Sequence, residues 1–288
     1  MRGAGSPVRR HEAEREAFRR DGYLVLEGYL DQASCQAIVD EAEEFYARRD
    51  VASERADRTM NLHQESPTAK RVLQGPSLLG LLGELLGSRA VFLQSIYFNR
   101  GSQQQPHSDY VYMGTDPPLQ LCGIWLACED VTPDAGPLFY YPGSHRLPSE
   151  TVEERFRRRM PSLTADIEAR REELEAFYSA RRSVTGESLE VCVFFDEWLG
   201  DLSTRLDQDG FERVTFLPRR GDLLVWHANL VHGGSPVTGP QATRRSLVAH
   251  YLTRSVRRYF DMNYVDTQAH LTLGSIDHDR PAVLQVRG

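Results

Sequence analysis

Apolar residues recur along this chain at two different periods, and the change from one period to the other marks out its elements. From Glu12 to Arg20 the spacing is helical, and Asp21-Gly22 ends it. Tyr23 to Leu30 then reads as a strand closed by a turn. Asp31 suits an N-cap, and the helix it opens gathers Cys35, Ile38, Val39, Ala42 and Tyr46 on one face and acids on the other. Residues 1–10 read as a loose terminus, and residues 50–70 as polar and irregular. A short helix from Leu78 to Leu86 stops at Gly87. In the strand from Ala90 to Asn99, Gln94, Ile96 and Phe98 share one face, with Ser95, Tyr97 and Asn99 on the other.

From Leu119 to Glu129 apolar side chains fall on both faces, as in a strand covered on both sides. Further strands are predicted at Leu138 to Tyr141, Leu189 to Phe195, Glu212 to Leu217, Leu223 to His227, Leu230 to Pro236 and Arg244 to Leu252. The last alternates, with Arg244, Ser246, Val248 and His250 facing one way and Arg245, Leu247, Ala249 and Tyr251 the other. Strands divided by Gly/Pro turns, with no helix between them, point to an antiparallel sandwich or barrel. Residues 150–182 interrupt this pattern with a charged stretch whose apolar positions, Val152, Phe156, Leu163, Ile167, Leu174 and Phe177, have helical spacing. Pro161-Ser162 is expected to divide it into two helices. The expectation is one mainly β domain over residues 1–288, with N-terminal helices and a helical insertion at 149–220.

Composition narrows the function classes. Net charge is −7, so no general basic field exists to attract nucleic acid or anionic membrane. The apolar runs are too short to span a bilayer, and the charged residues 1–20 lack the apolar core of a signal peptide. A cytoplasmic protein acting on a small molecule is the expectation, and oligomeric state is not readable. Cys35, Cys122, Cys128 and Cys192 show no C-x-x-C spacing and read as buried, inert thiols. The arginines between 155 and 182 read as a solvated helix face laced with glutamates, against the alternative that they recognise an anionic substrate.

The candidate chemistry lies in Gln105-Pro106-His107-Ser108-Asp109-Tyr110. A histidine and a carboxylate two apart on an extended segment project to one side. A remote histidine in Leu230-Val231-His232-Gly233-Gly234 completes two imidazoles and one carboxylate, the facial triad of non-haem Fe(II) oxygenases. Three positions on such a metal stay open. A 2-oxo acid fills two of them, and dioxygen takes the third. The distal carboxylate of the 2-oxo acid needs a fixed cation, and arginine offers a planar fork. Arg244 lies twelve residues beyond His232, with Ser246 on the same face as a second donor. Two other classes stay open on these residues: a jelly-roll protein that binds metal or ligand without redox turnover, and a cupin-like metal isomerase.

Several further motifs accompany these: Phe18 to Leu26, Trp125 to Asp130, Gly136-Pro137-Leu138, Pro142-Gly143-Ser144-His145, Gly221 to His227, and Arg244 through Tyr251. Together they resemble the phytanoyl-CoA dioxygenase-like branch of the Fe(II)/2-oxoglutarate oxygenases. The resemblance implies a double-stranded β-helix, or jelly roll, with iron at one mouth. It implies that His107, Asp109 and His232 hold iron, with His232, directly before the glycine, preferred over His227. It implies Arg244, rather than Arg245, as the 2-oxoglutarate anchor, and a hydrogen bond to that co-substrate from Gln94 or Tyr97, depending on the face. Tyr110, Tyr112, His63, Gln64 and Trp125 are candidates to line the substrate pocket, and His145 to brace its own turn. Asp109 argues against a halogenase, where a small residue replaces the carboxylate. Hydroxylation of a small molecule follows as the expected outcome, with succinate and CO2 released; desaturation, ring closure and epimerisation use the same centre.

Overall fold

Asp31 accepts a hydrogen bond from the Ser34 backbone N–H and opens helix α2 (Gln32–Arg48), whose buried face is Cys35, Ile38, Val39, Ala42 and Tyr46. The computed structural model describes residues 7–49, 58–148, 152–185, 188–265 and 271–275. Helix α1 (Pro7–Asp21) starts earlier than its spacing suggests, with a proline where the first turn needs no N–H. Strand β1 (Tyr23–Leu26) follows α1, and β2 (Arg58–Met60) follows α2. Helices α3 (Pro67–Leu73) and α4 (Pro76–Leu86) come next, α4 ending on Gly87 at φ 66. Then come β3 (Ala90–Phe98), a single turn α5 (Asp109–Tyr112), β4 (Thr115–Asp116), β5 (Leu121–Ala127) and β6 (Leu138–Tyr140). Three helices, α6 (Val152–Ala169), α7 (Arg171–Thr185) and α8 (Leu189–Gln208), precede β7 (Val214–Thr215), β8 (Leu223–His227), β9 (His232–Gly234), β10 (Ser246–Thr253), β11 (Arg258–Val265) and β12 (Leu271–Ser275).

The large sheet runs β1-β8-β5-β10-β3-β2, antiparallel throughout. Its two faces do different work. On the outer face Tyr97, Ile124, Val225, Leu247, Ala249 and Tyr251 pack under α2, α3 and α4. On the inner face Trp125, Leu224, Trp226 and Val248 meet Leu138 and Tyr140 of a small sheet, β7-β6-β9. Every residue of β5 is therefore buried, as its two-sided apolar pattern predicts. Two antiparallel sheets face to face over one core, with helices on the outside, make the jelly-roll arrangement.

The insertion departs from expectation in three places. Leu189 to Phe195 is the start of helix α8, not a strand. Apart from Glu190 this run is continuously apolar and has no clear period of its own, and the deciding signal lies beyond it, in the three- and four-residue steps from Phe195 to Trp198, Leu202 and Leu206. Pro161 sits inside α6, and the break falls at Arg170 instead. Leu163 and Ile167, both buried against α8, hold the helix through the proline. Only Val214–Thr215 remains of the strand expected from Glu212 to Leu217. Part of the arginine face is laced as expected: Arg159 binds Glu197 and Asp166, Arg170 binds Glu173, and Arg171 binds Glu168 and Glu175, whereas Arg155 is buried over the Trp198 ring and pairs with Asp201 rather than facing solvent. All four cysteines are buried and free. Among the described residues no helix is long and apolar enough to cross a membrane. The terminal residues 1–6 of the expected loose segment, and 50–57 of the irregular one, lie outside the described residues.

Candidate metal centre

His107 and His232 are brought together by the backbone before their side chains meet. The N–H of each donates to the carbonyl of the other, at 2.9 and 2.8 Å, an isolated antiparallel bridge between segments 125 residues apart. Ser108 is extended (φ −112, ψ 147), so Asp109, the first residue of α5, returns to the side of His107. One ligand atom from each of His107, Asp109 and His232 lies within 4.8 Å of the others, and all three residues are buried. The glycine after His232 is required by space: a Cβ on Gly233 would press into the Phe139 ring and the Gln104 carbonyl.

The hydrogen bonds fix which imidazole nitrogens are free. His107 Nδ1 donates to the Gln105 carbonyl at 2.7 Å, and His232 Nδ1 to the Leu230 carbonyl at 3.0 Å. Both rings then keep the proton on Nδ1 and present Nε2, and His232 Nε2 stands 3.6 Å from Asp109 Oδ1. Burial, with the His232 ring adjacent, pushes the His107 pKa down to about 4, so it is neutral and available to a metal at pH 7. Burial alone would raise the Asp109 carboxyl. The facing imidazoles of His232, His250 and His107 outweigh burial and hold it below the usual range. Two imidazole nitrogens and one carboxylate oxygen on one side are the donor set suited to Fe(II).

The other carboxylate oxygen is already engaged. Trp226 Nε1 donates to Asp109 Oδ2 at 2.5 Å, and His250 Nε2 stands 3.3 Å from the same oxygen. Trp226 reaches it by lying across β5 at Gly123, where any Cβ would collide with the indole. Sequence reasoning missed Trp226, His250 and Gly123 as site residues; the available signal was that His250 shares the Arg244 face of β10.

The remaining candidates divide between the two faces of the sheet. Arg244, 2% exposed, donates Nη1 to the Gly136 carbonyl at 2.9 Å and lies between the Phe98 and Trp125 rings. Among the described residues no carboxylate pairs with it, its Nε is unsatisfied, and burial pushes its pKa down to about 10. The buried Trp125 Nε1 is also without a partner. Ser246 is buried, its hydroxyl donating to the Arg244 carbonyl at 3.3 Å. Gln94 is on the inner face, opposite His250. From Ser246 to His250 is four strand residues, roughly 13 Å, which sets the spacing between the arginine end and the metal end of the inner face. Tyr97 lies on the outer face among helix residues, where burial raises its phenol far above the ordinary value. His63 is there too, bonded to Ser95 Oγ at 2.7 Å, and Gln64 beside it is exposed; the sheet itself stands between this face and the triad. Tyr110 is core, packed with Met113, Leu121 and Leu252. Tyr112 is at the site, its ring 5.5 Å from His107 and stacked on Phe195 of the insertion. His227, at the end of β8, turns away to Phe18 and His145, and His145 donates to the Arg19 carbonyl, bracing its turn.

Fold and site together define a jelly-roll protein with a two-histidine, one-carboxylate metal centre. The family model for phytanoyl-CoA dioxygenase (PhyH) matches residues 18–246, and the chain belongs to that family. Curated relatives include phytanoyl-CoA dioxygenase domain-containing protein 1 of Danio rerio, 25% identical over 185 residues, 45% of this chain and 64% of that protein. Phytanoyl-CoA dioxygenase 1 of Oryza sativa subsp. japonica is 36% identical over 89 residues, 30% of this chain and 31% of that protein. The chain thus matches under two thirds of the length of each. Among solved structures, the non-heme alpha ketoglutarate dependent carbocyclase SnoK from nogalamycin biosynthesis aligns with TM-score 0.61 and 16% identity, over 88% of this chain and 87% of that one. EctD from S. alaskensis with 2-oxoglutarate and 5-hydroxyectoine aligns with TM-score 0.58 and 20% identity, over 91% and 81%. At those identities the likeness is one of fold.

Proposed function

We propose that this protein is an Fe(II)- and 2-oxoglutarate-dependent oxygenase that hydroxylates an unactivated C–H bond of a small molecule, with release of succinate and CO2. The observation that carries the reading is the pairing of two unsatisfied features on one inner face: an open triad, His107, Asp109 and His232, and a buried Arg244 with no acidic partner among the described residues. A buried guanidinium without a carboxylate is costly unless an anion joins it, and the distal carboxylate of 2-oxoglutarate is such an anion. Trp125 Nε1 is a second orphan donor beside it, and Gln94 lies toward the metal end. Iron so held, with 2-oxoglutarate and O2, supplies the oxidant. The protein's part is to fix the three ligands, orient the 2-oxo acid along the inner face and exclude water from between the sheets.

For the substrate, the insertion supplies the wall nearest the metal ligands, through Tyr112 stacked on Phe195 and Phe195 on Trp198. Of the structures of similar fold named above, the carbocyclase SnoK belongs to nogalamycin biosynthesis and EctD holds 2-oxoglutarate with the small molecule 5-hydroxyectoine, and a secondary metabolite is the substrate class we favour over a fatty acyl-CoA. Mass spectrometry of a metabolite library incubated with protein, Fe(II), ascorbate and 2-oxoglutarate tests this, the expected product gaining one oxygen. Strong coupled turnover of an acyl-CoA ester would overturn the substrate class, and a product lacking two hydrogens would replace hydroxylation with desaturation or ring closure.

A further inference from the structure

We propose that Trp226 and His250 are positioning residues that restrict Asp109 to metal ligation through a single oxygen, Oδ1. The inference deepens the proposed function: it rests on the metal centre but not on turnover. A carboxylate offers a metal either one oxygen or two, and the choice decides how many positions remain for other ligands. Here the two oxygens are unequal. Oδ1 faces His232 Nε2 at 3.6 Å, inside the triad. Oδ2 faces the protein, with the Trp226 N–H at 2.5 Å and His250 Nε2 at 3.3 Å. Trp226 Nε1–H is a donor only, so its direction is fixed.

His250 is set to donate as well. Gln94 Nε2 donates to His250 Nδ1 at 3.3 Å, which leaves the imidazole proton on Nε2, and the ring is 4% exposed. The approach of Nε2 to Oδ2 is off the ideal hydrogen-bond angle, yet no other acceptor is in reach and the atom is otherwise unsatisfied. A small rotation of the ring aligns this N–H with the carboxylate, and a buried N–H left without an acceptor carries a large desolvation cost. The elements that hold the two donors are rigid: Trp226 and His250 are on adjacent-but-one strands flanking β5, and Gly123 between them, paired with both, leaves the space the indole occupies. Both donors thus engage Oδ2, and Oδ1 is left to the metal.

The test is metal binding by the metal-free protein, using Co(II) alone, with calorimetry for affinity and infrared difference spectra for the carboxylate. One-oxygen ligation gives a wide separation between the antisymmetric and symmetric carboxylate stretches, and two-oxygen ligation a narrow one. The expected wild-type spectrum has the wide separation. Trp226→Phe and His250→Phe are expected to weaken Co(II) binding about tenfold to a hundredfold and to narrow the separation. His250→Gln, which keeps an N–H donor, is expected to recover most of the affinity. A narrow separation in the wild-type protein overturns the proposal, and so do affinity and separation unchanged in both Phe variants. Thermal melts of each variant separate lost ligation from lost folding, and the wild-type spectrum decides the matter whichever variants fold. A protein that passes this test yet makes no succinate with Fe(II), 2-oxoglutarate and O2 would leave the ligation geometry standing and remove the proposed activity.

Discussion

Arg244 and Arg245 are neighbours in the chain with opposite surroundings. Arg244 is buried between Phe98 and Trp125, where among the described residues its guanidinium meets only a backbone carbonyl, while Arg245 lies across the sheet and meets Glu43 at 3.3 Å and Glu129 at 3.8 Å. An arginine already neutralised has nothing left for a ligand, and one held without an acid has. Arg244→Gln is therefore expected to raise the half-saturating 2-oxoglutarate concentration roughly tenfold to a hundredfold, the loss of about 1.5–3 kcal/mol in charged hydrogen bonds. Arg245→Gln is expected to change stability by about 1 kcal/mol or less, since its side chain is 32% exposed, and to leave 2-oxoglutarate affinity within error. Succinate assays over a 2-oxoglutarate series compare the two.

Gly123 makes room for Trp226. A methyl group there meets a rigid ring on a fully buried strand, so Gly123→Ala is expected to cost about 1–3 kcal/mol and to weaken metal binding by displacing the indole from Asp109. In the double variant with Trp226→Phe the smaller ring relieves the clash. Its melting temperature is expected to lie above the sum of the single effects, and strict additivity would mean that the two residues do not compete for the same space.

Acid is expected to unfold the metal-free protein through buried histidines. His227, between Phe18 and His145, accepts the Asn229 N–H on Nδ1, and burial pushes its pKa down to about 4. In the unfolded chain it binds a proton near pH 6.5. Between these values the unfolded state holds more protons, so the stability present above about pH 6.5 is lost as the pH falls toward 4. His227 alone accounts for up to about 3 kcal/mol of that loss. Denaturant melts at pH 7 and pH 4.5 read it: His227→Gln should flatten the difference, although His63, His107 and His145, all lowered by burial, keep part of it.

The residues legible in the sequence are those whose role follows from local spacing. His107 and Asp109 are two apart on extended chain, and Arg244, Ser246 and His250 fall on one side of an alternating strand; both patterns survive in the structure. What stayed hidden depends on register between distant strands. Trp226 pairs with Gly123 and Gly123 with His250, and only that alignment brings an indole and an imidazole to the same oxygen. The choice between Gln94 and Tyr97 likewise turns on which face the helices cover, and nothing within β3 records it. The start of helix α8 resembles a strand because Val191 to Phe195 is five apolar residues in a row, a pattern that a buried helix and a buried strand share.

If His107, Asp109 and His232 hold iron for a 2-oxoglutarate-coupled oxidation, succinate formed must match O2 consumed. Purified protein with Fe(II), ascorbate and 2-oxoglutarate is expected to make the two in equal amounts, slowly without a substrate and faster with one. Asp109→Ala is expected to abolish both while keeping the fold, as judged by circular dichroism. Succinate production that persists in Asp109→Ala, or its absence from the iron-loaded wild-type protein across the substrate library, would contradict the account.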